Sequence, residues 1–245
     1  MKKYLCEVKG IEKLNHDVFR VCLALPETES QSPIFDAGQY LDIVLPDGNQ
    51  ASFSIGSAPE KLGEIELHIR HIEASVMSDA IVKYLLAHDS VEIELPKGNC
   101  VLQANQLAPE TRLVMVAAST GFAQIKSAVE HLLASGVANP IDIYWGVRVA
   151  EDLYLDTLPN EWAAEHANVN FVPVVSEPEH STDWKGRTGL LPSAILEDIN
   201  TFDDVNIFVS GSPAMVYALL DACEEKGFDE ANMQADVFAY APRPK

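Results

Sequence analysis

The rhythm of the chain changes near residue 112. Up to about Leu102, short runs of alternating apolar and polar residues are separated by turn formers such as Pro46-Asp47-Gly48-Asn49. From Leu113 onward, apolar runs, glycine turns and stretches of helical spacing recur. Alternation with period two buries one face of a strand and wets the other, whereas an unbroken apolar run needs cover on both faces, as in a parallel sheet flanked by helices. One chain carrying both patterns is expected to fold as two modules. The first, over 1–103, is an antiparallel six-stranded β-barrel with a capping helix; the second, over 112–245, is an α/β module on a parallel sheet, and 104–111 is a polar linker.

In the first module, segments 4–14, 18–25, 40–45, 51–56, 64–72 and 90–95 have strand character. Between the last two, Ile81, Val82, Leu85 and Leu86 stand at helical spacing, and Ser78 followed by Asp79 predicts a helix start over 78–87. In the second, Leu113-Val114-Met115-Val116-Ala117 reads as a buried parallel strand, followed by the turn Ala118-Ser119-Thr120-Gly121 and a helix over 122–135. Further buried strands are expected over 141–145, 169–175 and 205–209, with Gly146, Ser176 and Gly211 just past their C-terminal ends, the edge where open α/β sheets bind ligands.

Charge narrows the possible partners. With 37 acidic against 17 basic residues the formal charge is -20, which repels nucleic acid and anionic bilayers. Any phosphate site must therefore be local, built from helix N-termini, backbone amides and single arginines. Cysteines at 6, 22, 100 and 223 form no close pair, so neither a CxxC redox pair nor zinc or iron-sulfur spacing is present, and no metal is expected. The N-terminus carries two lysines without a long apolar stretch, and no window approaches the roughly 18 apolar residues of a membrane span, so the expectation is a soluble cytoplasmic protein. No paired carboxylates or Ser-His-Asp order compete for catalytic work.

Phe53-Ser54-Ile55 stands out because alternation puts the hydroxyl on one face of a strand and its apolar neighbours on the other. The turn 118–121 lacks the GxGxxG fingerprint but still offers a helix N-terminus to a phosphate. Arg148 either pairs with a diphosphate or bridges the nearby Glu151 and Asp152.

Taken with Gly38-Gln39-Tyr40, Phe53-Ser54-Ile55-Gly56-Ser57, His68-Ile69-Arg70, Val76-Met77-Ser78 and Pro96-Lys97-Gly98, nearly the whole chain resembles the ferredoxin reductase-like superfamily, most closely the single-chain NAD(P)H:flavin reductases. The resemblance implies that Phe53, Ser54 and Ile55 lie against the flavin ring, with the Ser54 hydroxyl near the reactive N5, and that His68 and Ile69 border the flavin. The family's arginine two residues before the aromatic is Ala51 here, so Arg70 and the backbone amides of Met77 and Ser78 would seat the flavin phosphate. The glycine usual before that helix is Ser75. In the second module Thr120 and Gly121 would face the nicotinamide, with Ala118 and Ser119 replacing family glycines. Gly146 and Arg148 lie in a Tyr-Trp-Gly-Val-Arg segment like that of flavin reductases. Ser210-Gly211-Ser212-Pro213 and Met215 resemble the segment beside the nicotinamide, with Ser210 where many relatives have cysteine. Ser176 and Glu177 stand where NADP-type relatives carry a basic residue, and an acidic side chain there favours NADH. Phe238 would sit in a closing strand near the flavin.

The implied cofactors are thus FAD or FMN, either bound or as a substrate, and NAD(P)H. Three functions are compatible with them: hydride transfer from NAD(P)H to a free or weakly held flavin, a reductase with bound flavin feeding a separate iron-sulfur or oxygenase protein, and a non-catalytic flavin or nucleotide sensor.

Overall fold

The computed structural model describes residues 1–243, which divide into two compact units. Met1–Ala104 with Lys126–Gly136 form the first, and Asn105–Ile125 with the chain from Val137 onward form the second.

In the first unit lie strands β1 (Lys2–Lys13), β2 (Val18–Ala24), β3 (Tyr40–Val44), β4 (Gln50–Ser54) and β5 (Glu64–Arg70), helix α1 (Val76–Ala87) and strand β6 (Ser90–Lys97). Their order is β4-β3-β6-β1-β2-β5, antiparallel throughout. A single bridge between Ile55 and Leu67 joins the two edges into a nearly closed barrel. The alternation is read out directly: Val91, Ile93 and Leu95 of β6 and Ile65, Leu67 and Ile69 of β5 are buried in one core. Helix α1 closes that core with Ile81, Val82 and Leu85. Its start differs from the expected Ser78. Ser75 is the N-cap, its hydroxyl accepting from the Ser78 amide, while the Ser78 hydroxyl donates to the Arg70 carbonyl and accepts from the Ile72 amide. Ser78 therefore ties the helix to the end of β5 and cannot cap it.

The second unit opens with β7 (Arg112–Ala118) and α2 (Phe122–Ala134), whose residues from Lys126 belong with the barrel. Then come β8 (Ile141–Val147), α3 (Thr157–Glu165), β9 (Val169–Val175), β10 (Arg187–Thr188), α4 (Leu191–Asp198), β11 (Val205–Ser210), α5 (Pro213–Glu224), β12 (Met233–Gln234) and α6 (Val237–Tyr240). The sheet order is β10-β9-β8-β7-β11-β12, all parallel. Val114, Met115, Val116 and Ala117 of its central strand have no exposed surface, the double-sided burial that an uninterrupted apolar run requires. The direction of winding reverses at β7, making the crevice beyond the C-terminal ends of β7 and β11 the topological switch point.

The expected closing strand over 236–240 is instead helical. Pairing with β11 ends at Gln234, and the α6 turn puts the Ala241 carbonyl where the Tyr217 hydroxyl donates to it at 2.6 Å. Among the described residues no helix is long and apolar enough to cross a membrane.

Candidate active site

On the flavin side, the sequence motifs meet at the barrel seam. Gln39 accepts the Asp36 amide on its Oε1 and donates from Nε2 to the Gly98 carbonyl at 3.0 Å, joining the Gly38-Gln39-Tyr40 and Pro96-Lys97-Gly98 segments. Its own carbonyl accepts the Ile55 amide, just past the end of β4. Phe53 and Ile55 pack against the barrel core, Ile55 with no exposed surface. They support the strand from within rather than offering side chains on the Ser54 face. Ser54 is half-buried, and among the described residues no hydrogen bond occupies its hydroxyl. Two residues missed as site candidates share its surroundings: Tyr40 stands opposite Ser54 in the β3–β4 ladder and opposite Lys97 in the β3–β6 ladder. Lys97 is held by Asp42 at 2.5 Å, and Asp42 also accepts from the Ser52 hydroxyl. Cross-strand register could have found both, but register is not visible in composition or motif.

Four expected flavin contacts change character. The His68 side chain is fully buried on the face of β5 opposite Ile69, which itself lies in the core, so neither offers a side chain to a ring. Burial keeps the imidazole below its ordinary pKa, and in its neutral form Nε2 donates to Glu66 at 2.7 Å. Arg70 donates from Nε to Asp17 at 2.6 Å, which offsets its charge before any phosphate arrives. At the start of α1 the Ser78 amide is taken by the Ser75 cap, which leaves the Met77 amide as the better terminal donor.

At the sheet edge, close packing dominates. The turn after β7 is a short 3-10 turn over Ser119–Gly121 with Ser119 at a φ of 51°. It is pinned by the Trp145 indole N–H donating to the Ser119 carbonyl at 2.9 Å, while Phe122 stacks on Trp145 at 3.8 Å between ring centroids. A Cβ on Gly121 would stand 2.3 Å from the Ser210 carbonyl oxygen, and one on Gly211 would meet the Met215 methyl at 2.3 Å. Only glycine at 121 lets the turn come against the Ser210 backbone, whereas at 211 the flexible Met215 side chain could move aside. The arrangement gathers Thr120, whose hydroxyl has no hydrogen bond among the described residues, with the buried Ser210. Ser212 caps α5 by accepting from the Met215 amide, with Pro213 in the first turn. Gly146 fills the same need one strand over, where a Cβ would strike the Leu191 side chain at 2.5 Å.

Arg148 pairs with neither Glu151 nor Asp152. It donates to Glu177 through Nε at 2.9 Å and Nη2 at 2.8 Å, a fork that raises the guanidinium pKa and lowers that of the carboxyl. The Ser176 hydroxyl donates to the Val147 carbonyl, bracing the loop that carries Glu177. Phe238 packs on Tyr217 with ring centroids 5.7 Å apart, the consequence of its helical turn. Next to it, Asp236 was missed by sequence reasoning. Burial pushes its carboxyl pKa up, only partly countered by the Gln124 amide donating at 2.8 Å. It lies just past the C-terminal end of β12, and Gln124 follows the Thr120 turn. A perturbed carboxyl at that edge is a candidate proton-handling group.

Comparison with known proteins accords with this division. Residues 5–102 match the family described as oxidoreductase FAD-binding domain, and residues 115–221 match the oxidoreductase NAD-binding domain. The chain is 33% identical over 242 residues to the NAD(P)H-flavin reductase of Vibrio harveyi, covering 96% of this chain and 98% of that protein. It is 35% identical over 237 residues to the CDP-6-deoxy-L-threo-D-glycero-4-hexulose-3-dehydrase reductase of Yersinia pestis, covering 97% of this chain and 69% of the relative. The crystal structure of the Amycolatopsis cytochrome P450 reductase GcoB superposes with a TM-score of 0.85 at 27% identity, over 96% of this chain and 69% of that one. Barrel, parallel sheet and sequence agree, and the chain belongs to the ferredoxin reductase-like family of FAD- and NAD-binding oxidoreductases.

Proposed function

We propose that this protein reduces a loosely held flavin at the expense of NADH. The observation that carries the reading is the asymmetry at the barrel seam. The Ser54 hydroxyl, the group this reading assigns to the ring, is unengaged, while the cations that would grip a flavin phosphate are either missing, at Ala51, or already paired, at Arg70 with Asp17. A charge-assisted phosphate contact contributes on the order of 1.5 to 3 kcal/mol. Without it, recognition falls on the ring, and the flavin can exchange as a substrate.

When bound, the flavin accepts at N5 the hydride that reduced nicotinamide gives up from C4. Ser54 donates or accepts a hydrogen bond at the ring edge and orients it. Thr120 and Ser210 hold the carboxamide side of the nicotinamide at the mouth of the β7–β11 crevice. Asp236, kept protonated to higher pH by burial, supplies a proton-bearing group beside that crevice. The Arg148–Glu177 fork offers a carboxylate to ribose hydroxyls and repels a 2′-phosphate, which favours NADH over NADPH. Positioning supplies most of the acceleration, because a near-attack separation of roughly 3 to 3.5 Å makes the transfer effectively unimolecular.

Steady-state oxidation of NADH and of NADPH with riboflavin, FMN and FAD added in turn tests this. The expected result is a colourless purified protein, turnover only with added flavin, and riboflavin within a few-fold of FMN. A yellow protein indifferent to added flavin would overturn it. That outcome would support a second reading, delivery of electrons to a separate redox protein, which the names of relatives such as the terephthalate 1,2-dioxygenase reductase component of Comamonas favour. Binding without turnover would point to a sensor.

A further inference from the structure

The barrel seam is held from outside by a buried cation. β4 and β5 are the two edges of the sheet, and among the described residues a single bridge, Ile55–Leu67, pairs them. The segment just beyond Ser54 therefore lacks the continuous ladder that fixes every other strand. In its place, Lys126, with its side chain 4% exposed, donates to the Gly56 carbonyl at 3.0 Å, and the Ser127 hydroxyl donates to the Ser57 carbonyl at 2.8 Å. The Lys126 ammonium also pairs with Glu130 at 3.0 Å and Glu66 at 3.3 Å. Glu66 is the residue on β5 whose carbonyl accepts the Gly56 amide at 2.7 Å and whose amide donates to the Ser57 hydroxyl at 3.1 Å. Both carbonyls of the Gly56-Ser57 step are thus engaged by the Lys126-Ser127 step of α2, and the Gly56 amide and the Ser57 hydroxyl by β5.

Burying an ammonium with two carboxylates is costly, and an apolar contact could anchor a helix to a barrel more cheaply. What the ammonium adds is direction: it fixes a carbonyl two residues from Ser54. We infer that Lys126 and Ser127 form a positioning clamp that sets the Ser54 hydroxyl for hydride transfer, an inference that rests on the reading of Ser54 given above. The clamp touches neither flavin nor nucleotide and acts only through the 54–57 backbone.

A double-mutant cycle tests it, measured as single-turnover flavin reduction at saturating NADH, with thermal midpoints recorded so that all rates are taken on folded protein. The variants are S54A, K126Q, S127A, and S54A combined with each of the latter two. K126Q and S127A are each expected to slow reduction about tenfold while the NADH KM stays within about twofold, since sub-ångström misplacement of a reacting group costs rate rather than affinity. In the S54A background the same substitutions should change the rate by less than about twofold, because the group they position is gone. Independent, multiplying effects would overturn the clamp while leaving the role of Ser54 intact. An unchanged rate in S54A alone would instead overturn the role of Ser54. Should K126Q fail to fold, S127A carries the same test, since it removes one neutral hydrogen bond and strands no charge.

Discussion

The two units meet the demand for precision in opposite ways. At the sheet edge, backbone is pressed against backbone, and Gly121 leaves no room for a single added carbon. At the barrel seam the strand ladder gives out, and the backbone is held by the Gln39 carbonyl and by side chains reaching in from Lys126 and Ser127. A nucleotide edge built from close packing tolerates little substitution but needs few charges. A seam held by side chains can be retuned one group at a time. The sharpest way to break this contrast is Gly121→Ala. Its Cβ has to displace the Ser210 carbonyl, so stability is expected to fall by about 3 kcal/mol and the NADH KM to rise at least about tenfold. Urea unfolding and steady-state kinetics check both, and a variant with unchanged midpoint and KM would remove the distinction.

The seam predicts a gain where the edge predicts a loss. Ala51→Arg restores a cation at a half-buried position whose stem can lie along Phe53 while the head reaches water. FMN affinity is expected to rise about tenfold or more relative to riboflavin, whose affinity stays level because it has no phosphate. Fluorescence titration of both flavins measures this ratio. An equal effect on the two would mean that the arginine contacts the ring or disturbs the strand, and the ring-only account of recognition would fail.

How much of this was legible beforehand follows from what each feature depends on. The strand over Val169–Val175 was bounded correctly from its residues because a short valine-rich run states its strand preference locally. The α1 start was misplaced by three residues because Ser75 and Ser78 are equally good caps in sequence. What separates them is the Arg70 carbonyl, which engages Ser78 from another element. Phe238 was expected in a strand by resemblance to the family's closing strand, but here the chain makes a helical turn whose Ala241 carbonyl accepts from Tyr217 on α5. His68 was placed beside the ring by the resemblance, but its side chain is fully buried and its partner, Glu66, lies two residues back on the same strand. Arg148 found Glu177 because β8 and β9 are parallel and in register through Val147 and Val175, so the residues just past both strands share one edge. Motifs named the candidate residues; partner choice was set by topology.

That fork gives a smaller effect on the nucleotide side. Glu177→Gln keeps a hydrogen-bonding group for Arg148 and removes the charge, so the guanidinium becomes available to a 2′-phosphate. NADPH kcat/KM is expected to rise about fivefold with NADH changed by less than about twofold, the modest size reflecting an exposed, solvent-screened pair. The gain should shrink as salt is raised. A rise that ignores ionic strength would have a different origin.

The finest separation of the two regions lies in acid, where a carboxylate in each responds with opposite sign. Burial disfavours ionised Glu66, but the His68 hydrogen bond and the Lys126 ammonium outweigh it and bring the carboxyl down to about 2. An acid that is stronger in the folded state contributes stability above its unfolded value of roughly 4.3, and that contribution fades as pH falls toward 2. For Asp236 burial wins and the carboxyl is a weaker acid in the folded state. Its ionisation therefore opposes folding above the raised pKa, and the penalty disappears as pH drops toward the unfolded value of roughly 3.9. Glu66→Gln should then lower the thermal midpoint at pH 7 and flatten its decline below pH 4. Asp236→Asn should raise the midpoint at pH 7 and converge on the parent protein in acid. Midpoints followed from pH 7 to pH 3 measure both slopes. Curves moving in the same direction would mean that one of the two carboxyls is not in the environment described, and the contrast between a charge-clamped seam and a close-packed edge would lose its electrostatic half.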